Sequence, residues 1–333
     1  MVEGPPFFGV TDAQSVAPET KHHAGGLRAT RFRYFPVLDH GFVALVDYMG
    51  TDACIERAAR VSYGYGTRST NQTRGLIRYL RRHLHTTPTE MVELKFHCCM
   101  PIFVARQWIR HRTANVNEYS GRYSLIPMLF YTPEQEQLQK QSQSNNQGRS
   151  GQLVDESVYP SATDRWSKGR QEARGNYEWL TQQDIARELA RIDLPLSTYT
   201  QWYWKIDLHN LLHFLKLRVD SHAQREIRKY GEVMAGIVRA VAPLSYEAWI
   251  DYEVGGARLG RMELDALRQL LEMDEDGSSR AREGASLNRE QLTQLGNSAP
   301  KPRSPGRRPQ RWYEQTLLAR DVTQIAVSQL VMT

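Results

Sequence analysis

Arg110, His111 and Arg112 stand side by side, and Ser120 follows after seven residues, in the run RQWIRHRTANVNEYSGRYS. Packing three groups that can all be positive is costly: at about 6 Å and an effective dielectric near 20, two unit charges repel by roughly 3 kcal/mol. An anion between them removes that cost, so the triplet marks a candidate anion site; the alternative is three solvated side chains on a surface turn. Around it, Gln107, Asn115, Asn117, Glu118, Arg122 and Tyr123 make a stretch too polar for a core. Arg110, Arg112 and Arg122 offer planar forks that grip phosphate bidentately and stay charged at any working pH. Glu118, Ser120 and the backbone beside Gly121 add acceptors and donors for a sugar or a heterocycle, which outlines a nucleotide site. No Ser-His-acid arrangement surrounds Ser120, so its hydroxyl is assigned to binding rather than to nucleophilic attack.

These residues need elements to hold them. Pro101 opens a helix over IFVARQWIRHR, with Phe103, Val104, Trp108 and Ile109 inward, so the triplet falls where that helix runs out. Before it, LKFHCCM reads as a strand, and HTTPTE starts another helix with Thr87 as N-cap, Pro88 as first helical residue and Glu90 closing a capping box. A helix from about Thr70 to Leu84 places Leu76, Ile77, Leu80 and Leu84 on one face. Further upstream, VLDHGFVALVDYMG alternates like a strand, and TDACIERAARVSYG is a short helix capped by Thr51 or Asp52. Downstream, Pro133 to about Pro160 is a long Gln-, Ser- and Asn-rich loop, either a ligand cover or a plain insertion. A helix then runs from near Ala162 through WLTQQDIARELARI. LSTYTQWYWKI is a strand, LHNLLHFLKLR and AQREIRKYGEVMAGIVRAV are helices, and Pro243 stops the second.

The 333 residues divide into an irregular arm over 1–33, a main domain over 34–255 and an extension over 256–333. In the extension MELDALRQLLEM reads as a helix, about 274–310 as disordered, and the final WYEQTLLARDVTQIAVSQLVMT regains apolar periodicity. A net charge of +6 suits phosphorylated ligands without requiring nucleic acid. Lys301, Arg303, Arg307, Arg308 and Arg311 cluster in a Pro-rich run, and the Arg-rich helix from Thr70 with Trp202, Tyr203 and Trp204 offers a nucleic-acid-binding alternative; neither matches a recognised pattern, and no specific nucleic-acid binding is expected. Cys54, Cys98 and Cys99 lack the spacing of a disulfide framework or a zinc site, which fits a reducing cytoplasm and no metal. No apolar run is long enough for a bilayer, and the N-terminus lacks the pattern of a secretion signal.

RHRTANVNEYS fits the RHR-x7-S signature of the flavin-dependent thymidylate synthases, the ThyX family, and the match continues through GRY. HTTPTE is similar to the family's H-x-T-P-x-E segment, PIFVARQW to its approach helix, and ARIDLPLSTYTQWYWKIDLHNLLHFLKLRVDSHAQREIR to its C-terminal half, so the resemblance covers roughly Phe35 to Tyr252. It implies an α+β ThyX-type fold, a mixed or antiparallel sheet with packed helices, assembled as a homotetramer with FAD and dUMP at subunit junctions. It also implies conversion of dUMP to dTMP, with 5,10-methylenetetrahydrofolate as one-carbon donor and NADPH reducing the flavin. By position, Arg110, His111 and Arg112 would meet FAD, Ser62 and Thr87 would help hold it, and Glu118 would lie between flavin and nucleotide. Gln107, Arg110, Ser120, Gly121, Arg122 and Arg191 would contact dUMP. Arg218 would face the pyrimidine as the catalytic cation, with His222 near the cofactor. The chain departs from the family at Asp207, His209 and His213, where Asn, Arg and Asn are frequent; these would still reach FAD, although an aspartate suits a diphosphate poorly and Asp207 could instead cap its helix. Cysteine attack is not implied, and Cys98 and Cys99 read as packing residues.

Overall fold

The computed structural model describes residues 33–61, 73–143, 148–256, 260–261, 271–273 and 279–281. The chain divides into two units, residues 1–257 and 258–333. Unit one is built on a five-stranded antiparallel sheet of order β1-β2-β3-β7-β4. Its strands are β1 (Tyr34–Val37), β2 (Gly41–Met49), β3 (Glu93–Pro101), β4 (Asn115–Glu118) and β7 (Tyr199–Asp207). The central strands alternate as a half-covered sheet requires: Leu94, Phe96 and Cys98 of β3 are buried, as are Trp202, Trp204 and Ile206 of β7, while Lys95, His97, Tyr203 and Lys205 face the other way.

Helices cover the apolar face, apart from the two over Val158–Gln182 and Arg187–Ala190, whose buried residues Tyr177 and Ala190 lie outside that core. In chain order they are α1 (Asp52–Val61), α2 (Thr73–Arg82), α3 (Thr87–Glu90), α4 (Ile102–Trp108), α5 (Val158–Gln182), α6 (Arg187–Ala190), α7 (Leu208–Arg218), α8 (Arg225–Val241) and α9 (Pro243–Trp249). α9 continues as a π turn over Ile250–Val254. Trp108 is the centre of this layer: it stacks on Phe214 at 5.1 Å and meets Trp202, Trp204 and Tyr230 edge-on at 5.5, 5.3 and 5.9 Å. Burying such rings is worth several kcal/mol each, which fixes the C-terminal end of α4 against α7 and β7.

Several expectations need correction. The stretch from Val37 is not one strand; it turns at Leu38–His40, with Leu38 at φ 61°, to pair β1 with β2. Asp52 does not cap its own helix. Its carboxylate is buried and accepts from Leu244 N, Ser245 N and Ser245 Oγ, so it caps α9 from 192 residues away. α2 ends at Arg82, and Leu84 lies outside it and exposed, in the left-handed conformation at φ 58°. α3 begins at Thr87, so Thr86 is the N-cap, and no side chain closes a capping box. Ile109 faces solvent rather than the core. The helix expected from Ala162 to Ile192 breaks at 183–186, with Asp184 at φ 58°, into α5 and α6. Pro243 ends α8 but also opens α9. The Gln-rich loop contains a hairpin of β5 (Gln139–Gln141) and β6 (Arg149–Leu153). In the second unit, Leu271–Met273 (β8), expected to end a helix, pairs as a strand with Ser279–Ala281 (β9), inside the run expected to be disordered. The N-terminal arm up to residue 32, the start of the helix expected over MELDALRQLLEM, the rest of the run expected to be disordered and the final apolar segment lie outside the described residues.

Candidate active site

The triplet leaves the fixed end of α4. Arg110 and Arg112 are exposed, whereas His111 is half-buried, 5.4 Å from the Phe214 ring and 5.8 Å from His213, with Nε2 3.0 Å from Thr113 Oγ1. Burial, then His213 and Arg218, hold its pKa below the ordinary imidazole range. The ring is therefore neutral at pH 7, and the three-charge repulsion expected from sequence reduces to two exposed guanidinium groups flanking it.

Two clusters gather most of the remaining site residues. In the first, Arg218 is the last residue of α7 and half-buried; its Nη2 donates to Gln107 O at 3.3 Å, and Gln107 Nε2 donates to Gln224 Oε1. Arg218 Nε is buried with no hydrogen-bond partner, and burial holds the guanidinium pKa below its usual value. A cation desolvated in this way is stabilised when an anion or carbonyl oxygen reaches it.

The second cluster is the turn after β4. Tyr123 N and Ser124 N donate to Ser120 O, and Arg122 N donates to Ser120 Oγ at 3.3 Å. Gly121 is buried here; a Cβ on it would lie 2.5 Å from Ile126 Cδ1 and 3.3 Å from Arg191 Cδ, so glycine lets the turn pack against Ile126 with Arg191 beside it. Arg122 Nε donates to Glu188 Oε2 at 3.0 Å. Glu118, on exposed β4 opposite Trp202, accepts from Thr200 Oγ1 at 2.7 Å.

At the start of α7, Asp207 serves as the N-cap: Oδ1 accepts from Asn210 N at 2.9 Å and Oδ2 from Asn210 Nδ2 at 2.7 Å. His209 Nδ1 is buried without a partner, and burial, then Arg81, lower its pKa. Thr87 is exposed and lines an 860 Å³ cleft with Tyr79, His85, Pro88 and Met91. His222 is exposed and its Nδ1 lies 2.8 Å from Asp220 Oδ1. Ser62 lies outside the described residues. Sequence reading missed Gln224, Thr200 and Glu188, which hold Gln107, Glu118 and Arg122. Of these only Glu188 carried a signal, lying three residues before Arg191 on one helical face.

Cys98 and Cys99 are buried; burial pushes the Cys98 thiol well up and Cys99 up to about 12, so neither offers a thiolate. The arginines of α2 are engaged rather than free for nucleic acid: Arg74 and Arg78 pair with Glu247, Arg78 also with Asp251, and Arg81 with Glu253. Trp202 and Trp204 are buried. Among the described residues no His, Cys, Asp and Glu group could hold a metal, and no helix is long and apolar enough to cross a membrane.

An antiparallel sheet with one helical layer, arginines at a glycine-dependent turn and unpartnered buried nitrogens at α7 together define an α+β protein equipped for an anionic ligand of nucleotide type. Residues 44–244 match the family described as thymidylate synthase complementing protein, and the chain belongs to that family. A flavin-dependent thymidylate synthase of Wolbachia pipientis wMel is 51% identical over 259 residues, covering 78% of this chain and 89% of the relative. One of Dictyostelium discoideum is 48% identical over 268 residues, covering 77% and 86%. Among solved structures, the UMP/dUMP methylase PolB from Streptomyces cacaoi bound with 5-Br UMP superimposes with TM-score 0.59 at 32% identity, over 64% of this chain and 95% of that one. The same methylase bound with 5-Br dUMP gives 0.58 over 66% and 99%.

Proposed function

We propose that the protein is a flavin-dependent thymidylate synthase that converts dUMP to dTMP. FAD would be the flavin, 5,10-methylenetetrahydrofolate the one-carbon donor and NADPH the reductant, in a homotetramer whose subunits share active sites. The reading rests on Arg218: a half-buried cation with an unpartnered Nε, held to the backbone of Gln107, in a chain about half identical to enzymes of that name.

The residues fit an anionic dinucleotide cofactor. Arg110 and Arg112 supply exposed positive charge, neutral His111 a ring nitrogen, and His209 Nδ1 an unsatisfied polar atom at the start of α7. Asp207 fits less directly: both oxygens are taken up by Asn210, so its contribution is to hold the helix N-terminus in place. When bound, the reduced flavin would supply the hydride that adds to C6 of the pyrimidine.

The chain's own residues bind and polarise. Ser120, Gly121, Arg122 and Arg191 form a compact cradle for the phosphate of dUMP, and the phosphate replaces Glu188 on the Arg122 fork. Glu118, fixed by Thr200, orients the ribose or the ring edge. Arg218 sits against the pyrimidine carbonyls, where charge develops when C6 is attacked, and its low hydration strengthens that interaction in the transition state. No protein nucleophile is required, consistent with buried cysteines of raised pKa and a Ser120 hydroxyl engaged in its own turn.

The test is dTMP formation from dUMP, methylenetetrahydrofolate and NADPH with FAD present, run beside UMP because the structural neighbour is a UMP/dUMP methylase. A yellow protein that binds dUMP and makes no dTMP would leave a flavin-binding relative without the synthase reaction.

A further inference from the structure

The first turn of α8 holds three consecutive residues that reach in different directions. Gln224, its N-cap, accepts from Gln107 at the end of α4. Arg225 Nη2 donates to Glu134 Oε2 at 3.2 Å, ahead of the β5–β6 hairpin. Glu226 is 1% exposed, and its Oε1 accepts both from Tyr131 at 2.9 Å and from Arg149 Nη2, on the hairpin, at 2.5 Å. Burial alone would push the Glu226 carboxyl up, yet Arg149 foremost, with a backbone N–H and the Gln224 side chain, more than offsets it and holds the pKa below the usual range.

The hairpin is not seated by packing. Every residue of β6 is exposed, and beneath Arg149 lies a cavity of about 530 Å³ lined by Phe103, Trp166, Arg170, Gln224 and Glu226 among others. Polar links therefore set where this part of the insertion sits relative to α8. The links are directional and desolvated at Glu226, so moving Arg149 away leaves the buried carboxylate uncompensated.

We infer that Arg149 and Glu226 are positioning residues for the nucleotide site: the insertion braces the first turn of α8, which holds Gln224 against Gln107 and so sets the Gln107–Arg218 wall. This rests on the reading that Gln107 and Arg218 meet the nucleotide. It makes the Gln-rich insertion a brace behind the site rather than a cover over it. Arg228, which donates to Ser221 O at 3.0 Å, steadies the intervening 219–224 turn from the same helix.

The experiment measures dUMP affinity of the FAD-loaded enzyme by calorimetry, beside flavin content and Tm, for Arg149→Met, Gln224→Ala and the double variant. Each single change weakens dUMP binding about five-fold while flavin content holds, and the double variant is no weaker than either alone, because residues acting through one contact are strongly non-additive. Tyr131→Phe, which removes one neutral donor from Glu226 and leaves the ion pair, shifts affinity the same way by less and serves if Arg149→Met does not fold. Arg149→Lys recovers part of the loss. Lower Tm with unchanged dUMP affinity in both Arg149→Met and Tyr131→Phe would overturn the inference and leave the pair as a brace for folding alone, as would additive losses in the double variant. No dUMP binding by the unaltered enzyme would instead overturn the nucleotide-site reading itself.

Discussion

At the scale of single residues the proposed chemistry is electrostatic, and it would concentrate at Arg218. Its guanidinium is short of solvent, donates to a backbone carbonyl and lies 5.9 Å from the centroid of the Phe214 ring, with Nε unpartnered, so on the proposed reading its charge is available to a developing oxyanion. Arg218→Ala is expected to lower turnover by about 100- to 1,000-fold, the range for losing one preorganised donor to a transition-state charge, with flavin content little changed; parallel loss of flavin would mean that Arg218 holds the cofactor rather than the pyrimidine. Ser120→Ala should cost roughly five-fold in dUMP affinity, the worth of about 1 kcal/mol for one hydrogen bond, and leave steady-state activity measurable. A folded, dUMP-binding Ser120→Ala enzyme with no turnover would restore the serine as a nucleophile. Protonation adds a test of the whole fold. His97, His111 and His209 all have depressed pKa values, burial being the first cause in each. A histidine depressed in the folded state binds fewer protons than its unfolded counterpart near pH 6.5, so its contribution to stability is full above that pH and is lost as pH falls through it. Tm should therefore drop between pH 7.5 and 5.5. His97→Gln, which keeps a side-chain partner for Gln201, should flatten that slope; an unchanged slope would exclude His97 as a source.

At the scale of elements, apolar spacing made the core elements legible. Leu208, Leu211, Leu212 and Leu215 announced α7, Ile227, Met234, Ile237 and Val238 announced α8, and the aromatic run Tyr199–Trp204 announced β7; the helices turn these residues into the core and β7 turns in Tyr199, Trp202 and Trp204 while Tyr203 faces out. What escaped notice was set by partners distant in sequence. Asp52, with Thr51 one of two candidate caps of the helix beside it, caps α9 instead, and the β5–β6 hairpin, which has no apolar stripe, is held by an ion pair to Glu226. Helix ends were misjudged for another reason: α2 and α5 stop where Leu84 and Asp184 take the left-handed conformation, with His85 N bonded to Leu80 O and Ile185 N to Leu180 O. That closure favours glycine, and no glycine was there to mark it. The geometry makes a prediction. Leu84→Gly should raise stability by about 1 kcal/mol, since the side chain is exposed and the left-handed backbone costs a leucine roughly that much. A lower Tm would mean that Leu84 packs against something in the assembled enzyme, a cleft-lining role its position beside His85 and Thr87 permits.

At the scale of the molecule, the two clusters of site residues pose a question of assembly. The turn that holds Ser120, Gly121 and Arg122 against Arg191 carries apolar side chains with no cover: Tyr123 is 75% exposed, Leu125 57% and Ile192 70%. Isolated exposed apolar residues are ordinary, but three large ones bordering one arginine cradle mark a face that another chain can cover. Covering it would desolvate Arg122 and Arg191 and strengthen their grip on a phosphate, and it would let the Gln107–Arg218 wall of a second subunit complete the site. Assembly and nucleotide binding are then one event rather than two. The unaltered protein should sediment at four times the mass of the chain. Ile192→Glu, which puts a charge on that face without touching any proposed ligand contact, should reduce the sedimenting mass and weaken dUMP binding together, and raising protein concentration should restore both by mass action. An Ile192→Glu protein that sediments as a single chain yet binds dUMP as tightly as the unaltered enzyme would show that one subunit builds the whole nucleotide site.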